Sequence, residues 1–258
     1  MSHMDQNDDL GAMATSRYSQ IERDIREIAI KPLKFDFDIQ GSHIFSMMEL
    51  AQSYARRSVD FIDALKEMIA AGRVVPASIM GRALIETIGM GCLYVHDMGR
   101  LIAANDFEKL EARLTRFYAG VKTSAEGAQP VHVMDAMRYF EQIDAEYVAY
   151  LDNNYGLFSK FVETLNSRKP PEADQIRLSD ISSAMRNYDS LSEIAHPNGT
   201  GVQYLYPDPV AENDRVNKMR SYFLGLAHGA IWQCHFLLSA LERGQGLPDA
   251  YRKAFIRA

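Results

Sequence analysis

The chain has 258 residues, 47% of them apolar and 24% charged, enough to bury a core and not a composition that stays disordered. Its 28 basic and 34 acidic residues leave a net charge of −6, which argues against a generic polyanion binder that works by neutralising phosphates. The cysteines, Cys92 and Cys234, both sit in apolar helical patterns, so they read as small buried hydrophobes of a reducing, cytoplasmic compartment and not as a disulfide framework.

Residues 1–14 are polar and acidic, with no basic-then-apolar layout of a secretory signal. They are expected to form a disordered tail or a remnant of cloning, leaving 15–258 as a single helical domain. No apolar run is expected to span a bilayer, because the nearest, 79–95, is broken by Arg82 and Glu86. A first amphipathic helix is predicted over 15–30 from Tyr18, Ile21, Ile25 and Ile28, ended by Pro32. Phe35, Phe37 and Ile39 then alternate with Asp36 and Asp38, a strand pattern whose one comparable partner is 202–206; the two would make a minor two-stranded ribbon.

A long helix follows over 42–71, with Phe45, Met48, Ala55, Val59, Ile62 and Ile69 as its buried stripe and Arg56 and Arg57 on a solvated face. The next helix is predicted to open at Pro76 and run to about Ala104. It is apolar nearly all round, the mark of a central helix. Gly81, Gly89, Gly91 and Gly99 each cost ~1 kcal/mol of helix propensity, so they point to close approach by neighbouring helices. Arg82 and Glu86, one turn apart, then form a partly buried ion pair or line a cleft. His96 reads as a boundary residue near the helix end.

Helices over 106–121 and 131–153 and a shorter one ending near Leu165 come next. After Pro170 and Pro171, a stripe of Leu178, Ile181, Met185, Tyr188, Ser192 and Ala195 builds a helix stopped by Pro197, with Asn198, Gly199 and Gly201 turning the chain away. Asp189, Glu193 and His196 gather on its other side. A last long helix over 213–243 carries His228 and His235 on the flank of its stripe, where satisfied core histidines are expected, and 251–256 adds a closing turn. The sum is an all-α bundle of about eight helices.

The polar residues were tested against four chemistries. Glu193 and His196 make an E-x-x-H pair, but a carboxylate-bridged di-metal bundle needs two such pairs and two more glutamates, and the sequence offers one pair and Glu86. A mononuclear site from Glu193, His196 and a histidine of the last helix stays open, yet no H-E-x-x-H or paired C-x-x-C occurs, so no metal and no cofactor are expected. A phosphate-cradling P-loop is absent. Ser192 and His196, four residues apart with Asp189 or Glu193 to orient the ring, have the spacing of a nucleophile and its base, without a strand-to-helix elbow or an oxyanion hole.

Arg82-Ala-Leu-Ile-Glu86 on a central helix, followed by Tyr188-Asp-Ser-Leu-Ser192-Glu-Ile-Ala-His196-Pro197, resembles uncharacterised bacterial proteins of the HEPN-like helical-bundle superfamily. The resemblance covers under a fifth of the chain. It implies an all-α bundle, a homodimer, and a role in stress or phage defence, in some members as a metal-independent ribonuclease. Active members carry an arginine four to six residues before the catalytic histidine, whereas Arg186 stands ten before His196 and Arg220 eight before His228. The expected function is therefore a binding or regulatory module with a polar cleft formed by Arg82, Glu86, Tyr188, Asp189, Ser192, Glu193, His196 and Asn198. That cleft would take a small polar ligand, a nucleotide or a protein partner. The alternative is an endoribonuclease acting on RNA, with His196, Arg82 and Glu86 as its catalytic residues. The plainest reading is that His196 caps its helix and the Arg82–Glu86 pair fixes packing.

Overall fold

A computed structural model of the chain describes residues 3–31, 42–118, 130–156, 184–196 and 214–257, with isolated positions between 159 and 167. The helices are α1 (His3–Ile30), α2 (Ser42–Ala70), α3 (Val74–Ala103), α4 (Phe107–Tyr118), α5 (Val133–Tyr155), α6 (Ala184–Ala195), α7 (Asp214–Trp232), α8 (Cys234–Gly244) and α9 (Leu247–Arg257). The fold is all-α. The last three helices run end to end, interrupted at Gln233 and around Gln245, so the described residues form seven helical rods where eight were expected. The expected short helix after Gly156 falls largely outside the described residues, and so do both arms of the expected ribbon, 35–39 and 202–206.

Three boundaries differ from expectation. α1 begins at His3, so the expected tail is helical from that residue. α3 begins at Val74 with Arg73 as its N-cap, which puts Pro76 third in the helix, where its missing N–H would have had no partner within the helix. The expected closing turn is a full helix, α9, continuing the C-terminal rod.

α3 is the axis of the bundle. α2 and all of α4 to α9 pack on it, while α1 lies behind, against α2, α7 and α8. Its side chains allow this: Leu84, Ile85, Ile88, Tyr94 and Met98 are fully buried over one half of the helix circumference, and Leu93, Asp97 and Leu101 are buried on the other. The buried Tyr94 hydroxyl is satisfied by donating to the Met47 carbonyl at 2.9 Å. The glycines admit neighbours at close range. A Cβ on Gly81 would stand 3.1 Å from the Ala227 Cα of α7, and one on Gly89 3.3 Å from the Ala136 carbonyl oxygen of α5.

α1 is held by packing of Ile21, Ile25 and Ala29 and by side chains of α2 at its C-terminal end. Gln52 donates to the carbonyls of Ile28 and Lys31, and Arg56 to that of Ala29. Arg56, expected on a solvated face with nucleic-acid contact as the minor alternative, is exposed and caps the neighbouring helix. Arg26 pairs with Asp63, and Lys66 with Glu22 at 2.9 Å.

Cys92 and Cys234 are buried and reduced. Burial pushes the Cys92 thiol up to about 12 and raises that of Cys234 further. Against the expectation of no bilayer-length run, the C-terminal rod Val216–Ala254 is long and apolar enough to cross a membrane by length and composition, but 56% of its apolar window is buried inside the bundle. Burial of that kind is also what a core helix shows.

α6 is set in place from both sides. Leu191, Ile194 and Tyr188 face inward, and the buried Asp144 of α5 accepts from the N–H of Ala184 at 3.0 Å, satisfying a first-turn donor of α6.

Two outcomes follow for stability. Gly81→Val puts a branched side chain against the Ala227 backbone and Leu191 Cδ1, and is expected to cost about 1–3 kcal/mol in a denaturant melt. Burial pushes the Glu22 carboxyl upward, but Lys66 and Arg26 hold it net below its usual value, and Arg26 lowers that of Asp63. Both groups therefore bind protons less readily folded than unfolded. Their stabilisation is present at neutral pH and lost as pH falls from about 5 towards 3. The thermal midpoint should drop across that window, less steeply in Glu22→Gln.

Candidate functional site

The site lies where the first half of α3 meets α6. Arg82 and Glu86 share a face of α3, one turn apart, with side chains 26% and 29% exposed, and Arg82 Nε donates to Glu86 Oε1 at 3.0 Å. Tyr188 crosses from α6 and closes a ring. Arg82 Nη2 donates to its hydroxyl at 3.1 Å, and the hydroxyl donates to Glu86 Oε1 at 3.1 Å. The guanidinium carbon also stands 5.0 Å from the centre of the Tyr188 ring, a cation–π contact.

His196 completes the group from just beyond the end of α6. Its Nε2 is 3.2 Å from Arg82 Nη1. A guanidinium has no acceptor, so the bond requires a neutral imidazole with its proton on Nδ1. The His196 backbone N–H donates to the Ser192 carbonyl at 3.0 Å, which continues the helical turn and holds the ring out towards solvent, where it is exposed. Arg82 thus meets a partner at each of its three nitrogens. Burial works against its charge, but the Tyr188 hydroxyl and the Glu86 carboxylate outweigh it and hold the guanidinium more firmly protonated than usual. Burial raises the Tyr188 phenol above its ordinary value, and Glu86 adds to the rise. At neutral pH the group is one fixed cation, one carboxylate, a neutral phenol and an exposed imidazole.

Four of the residues singled out in the sequence, Arg82, Glu86, Tyr188 and His196, come together. Ser192, Asp189 and Glu193 do not join them. Ser192 spends its hydroxyl on the Tyr188 carbonyl at 2.6 Å, so the nucleophile-and-base arrangement with His196 is not formed. Asp189 and Glu193, seven and three residues before His196, are exposed and, among the described residues, neither bonds to its ring; a shared side of the helix brings side chains near without aligning them. Asn198 lies outside the described residues. His96 is exposed and meets Tyr139 in a tilted ring contact, with centroids 4.6 Å apart. His228 stacks on Tyr18 at 4.8 Å, and His235 bonds the Trp232 carbonyl at 2.7 Å, so the histidines of the C-terminal rod are used elsewhere. Among the described residues no three of His, Cys, Asp and Glu are placed to hold one metal ion, and the mononuclear arrangement finds no third ligand there.

No protein-family model, curated protein or solved structure matches this chain.

Sequence reasoning named Tyr188 as a contact residue without its bridging role. The available signal was its place on the buried stripe of α6: a tyrosine there needs a partner for its hydroxyl, and Arg82 and Glu86 are the polar interruptions of α3. The reading in which all four residues serve only packing separates from a functional one by mutation. Tyr188→Phe keeps the ring and loses the bridge, and is expected to cost about 0.5–1.5 kcal/mol of unfolding free energy. His196→Ala removes an exposed side chain and should change stability by less than about 0.5 kcal/mol; a purely structural cap would cost more in the same denaturant titration.

Proposed function

We propose that the protein is a helical binding or regulatory module, HEPN-like in kind and suited to a stress or phage-defence system, whose His196–Arg82 corner takes an anionic group of a small polar ligand or nucleotide. The observation that supports it is the contact of Arg82 with His196 at 3.2 Å, with the guanidinium braced by Glu86 and Tyr188. Three contacts leave about two of the five guanidinium N–H groups for an incoming oxygen anion. The imidazole beside them has its Nδ1–H to donate to the same anion. Bracing fixes the cation before the ligand arrives, which reduces the ordering cost of binding. The test is a titration with a nucleoside monophosphate, read on the His196 ring resonances. The resonances are expected to shift in the wild type, with affinity at least tenfold weaker in Arg82→Gln. No response of the ring to the nucleotide overturns the reading.

A second reading, a metal-independent endoribonuclease, gains from the same contact, because Arg82 stands beside His196 where the local sequence has no arginine at catalytic spacing. The neutral imidazole would take the proton of a ribose 2′-hydroxyl on Nε2, once Arg82 turns its Nη1 from that nitrogen to the phosphate, as the hydroxyl oxygen attacks phosphorus. The guanidinium would meet the charge that develops, and the 5′-oxygen would leave with a proton from a second acid, giving a 2′,3′-cyclic phosphate. That second acid is the missing part. Tyr188 is buried and committed to Glu86, so a homodimer presenting a second His196 would supply it. Ile79 and Tyr222, 40% and 53% exposed, are apolar surface available to such a contact. Cleavage of RNA but not DNA in the presence of a chelator, reduced at least ~100-fold by His196→Ala, supports this reading, and equal activity in both proteins sinks it.

A further inference from the structure

The last third of α3 meets α5 and the junction of α8 and α9 around a cavity of about 360 Å³. Its floor is apolar: Cys92 and Ala240 are buried there, and Leu247 of α9 closes one side. Gly99 provides the room. A glycine inside a helix costs ~1 kcal/mol of propensity, and at Gly81 and Gly89 a neighbouring backbone takes up the space gained. At Gly99 none does: among the described residues a Cβ there would meet only Leu247 Cδ2, at an ordinary 3.6 Å. The space is left open to the cavity.

The polar lining is His96 and Arg100 of α3, Tyr139 of α5 and Arg243 of α8, with no Asp or Glu among the described residues that line it. The other charges nearby are engaged elsewhere. Asp97 is paired with Arg113, and Arg100 acts on Asp106, which Lys109 also holds at 2.7 Å. Glu146 stands two turns beyond Tyr139 on α5 and accepts from Gln142 at 2.9 Å. Glu242, next to Arg243 in the chain, lines a different cavity with Gln20 and Trp232. Arg243 is exposed and, among the described residues, its side chain makes no hydrogen bond or ion pair. Its charge still reaches the cavity walls. Burial raises the Cys92 thiol and the Tyr139 phenol, and Arg243 is the cation that works against the rise at both. The Tyr139 hydroxyl likewise has no hydrogen-bond partner among the described residues.

We infer that this cavity binds a small carboxylate with an apolar body, its carboxylate on Arg243 and its body over Gly99 and Ala240. A guanidinium offers a carboxylate two parallel N–H donors, and one guanidinium without a partner answers one negative charge. The neutral phenol of Tyr139 and the His96 ring add donors along the same lining. A phosphate dianion fits less well, because it brings a second charge against the same floor of Cys92, Ala240 and Leu247. The volume lies in the range of small-ligand pockets, which are mostly apolar with a few placed polar groups. This site does not depend on the His196 corner, since Arg82 and Gly99 stand seventeen residues apart on α3, about 25 Å along its axis.

The test is a calorimetric titration of the full chain with phenylacetate, hexanoate and the neutral isostere phenylacetamide. Both carboxylates are expected to bind the wild type, and the amide at least tenfold more weakly than phenylacetate. Arg243→Gln, at an exposed position, should weaken phenylacetate at least tenfold. Gly99→Leu fills the space with every charge in place and should abolish binding. Lys218→Gln, an exposed cation at the far end of the C-terminal rod, should bind as the wild type does. The inference is overturned if neither carboxylate binds, if the amide binds as tightly as phenylacetate, if Arg243→Gln or Gly99→Leu keeps wild-type affinity, or if Lys218→Gln loses as much as Arg243→Gln. Cooperative melting of Arg243→Gln at the wild-type midpoint separates loss of the site from loss of fold.

Discussion

Everything in this bundle depends on how closely other helices can approach α3. A helix that must bury nearly its whole circumference needs neighbours on every side, and they fit only where its own side chains are small or well shaped. Gly81 receives the α7 backbone and Gly89 the α5 backbone, while Leu84, Ile85 and Ile88 between them fill the gaps. The propensity given up at the glycines is recovered as burial. The charged residues of α3 that are not fully exposed stand where a neighbour answers them: Arg82 and Glu86 by Tyr188 of α6, and Asp97 by Arg113 of α4.

Two ion pairs follow from that placement. Each is a guanidinium oriented by a carboxylate at the margin of the core, and each draws in a second helix. At the α6 end the addition is one exposed imidazole, whose Nε2 meets Arg82. At the α4 end it is the guanidinium of Arg113 itself. Beyond both, at Gly99, α3 gives up a side chain that no described backbone replaces, and Arg243 lines the space that is left.

Much of this was legible in the sequence. The apolar circumference and glycine content of α3 identified the central helix, and the glycines do mark close approach at Gly81 and Gly89. Arg82, Glu86 and His196 were found because they interrupt apolar stripes or stand at a helix end. The partner choices were not legible. Periodicity gives the bearing of a side chain about its own helix, not which helix it meets, so the Tyr188 bridge, the Arg56 cap on α1 and the Arg113–Asp97 pair depended on tertiary packing. Ser192 shows the opposite error. Its spacing from His196 suggested a shared bond, but a serine within a helix finds its own backbone carbonyl first.

The geometry of Tyr188 and His196 also sets how this protein can vary. Both residues reach Arg82, one from within α6 and one from its end, eight positions later, and the two contacts hold together because the intervening turns keep a fixed phase. Inserting or deleting one residue between them rotates everything beyond by about 100°, carrying His196 to another side of the rod while Tyr188 stays docked. Substitutions at exposed positions of that stretch, such as Asp189 and Glu193, leave the phase untouched. The segment can therefore drift freely in composition but not in length, a pattern that related chains, compared side by side, would display as variable residues within an invariant spacing.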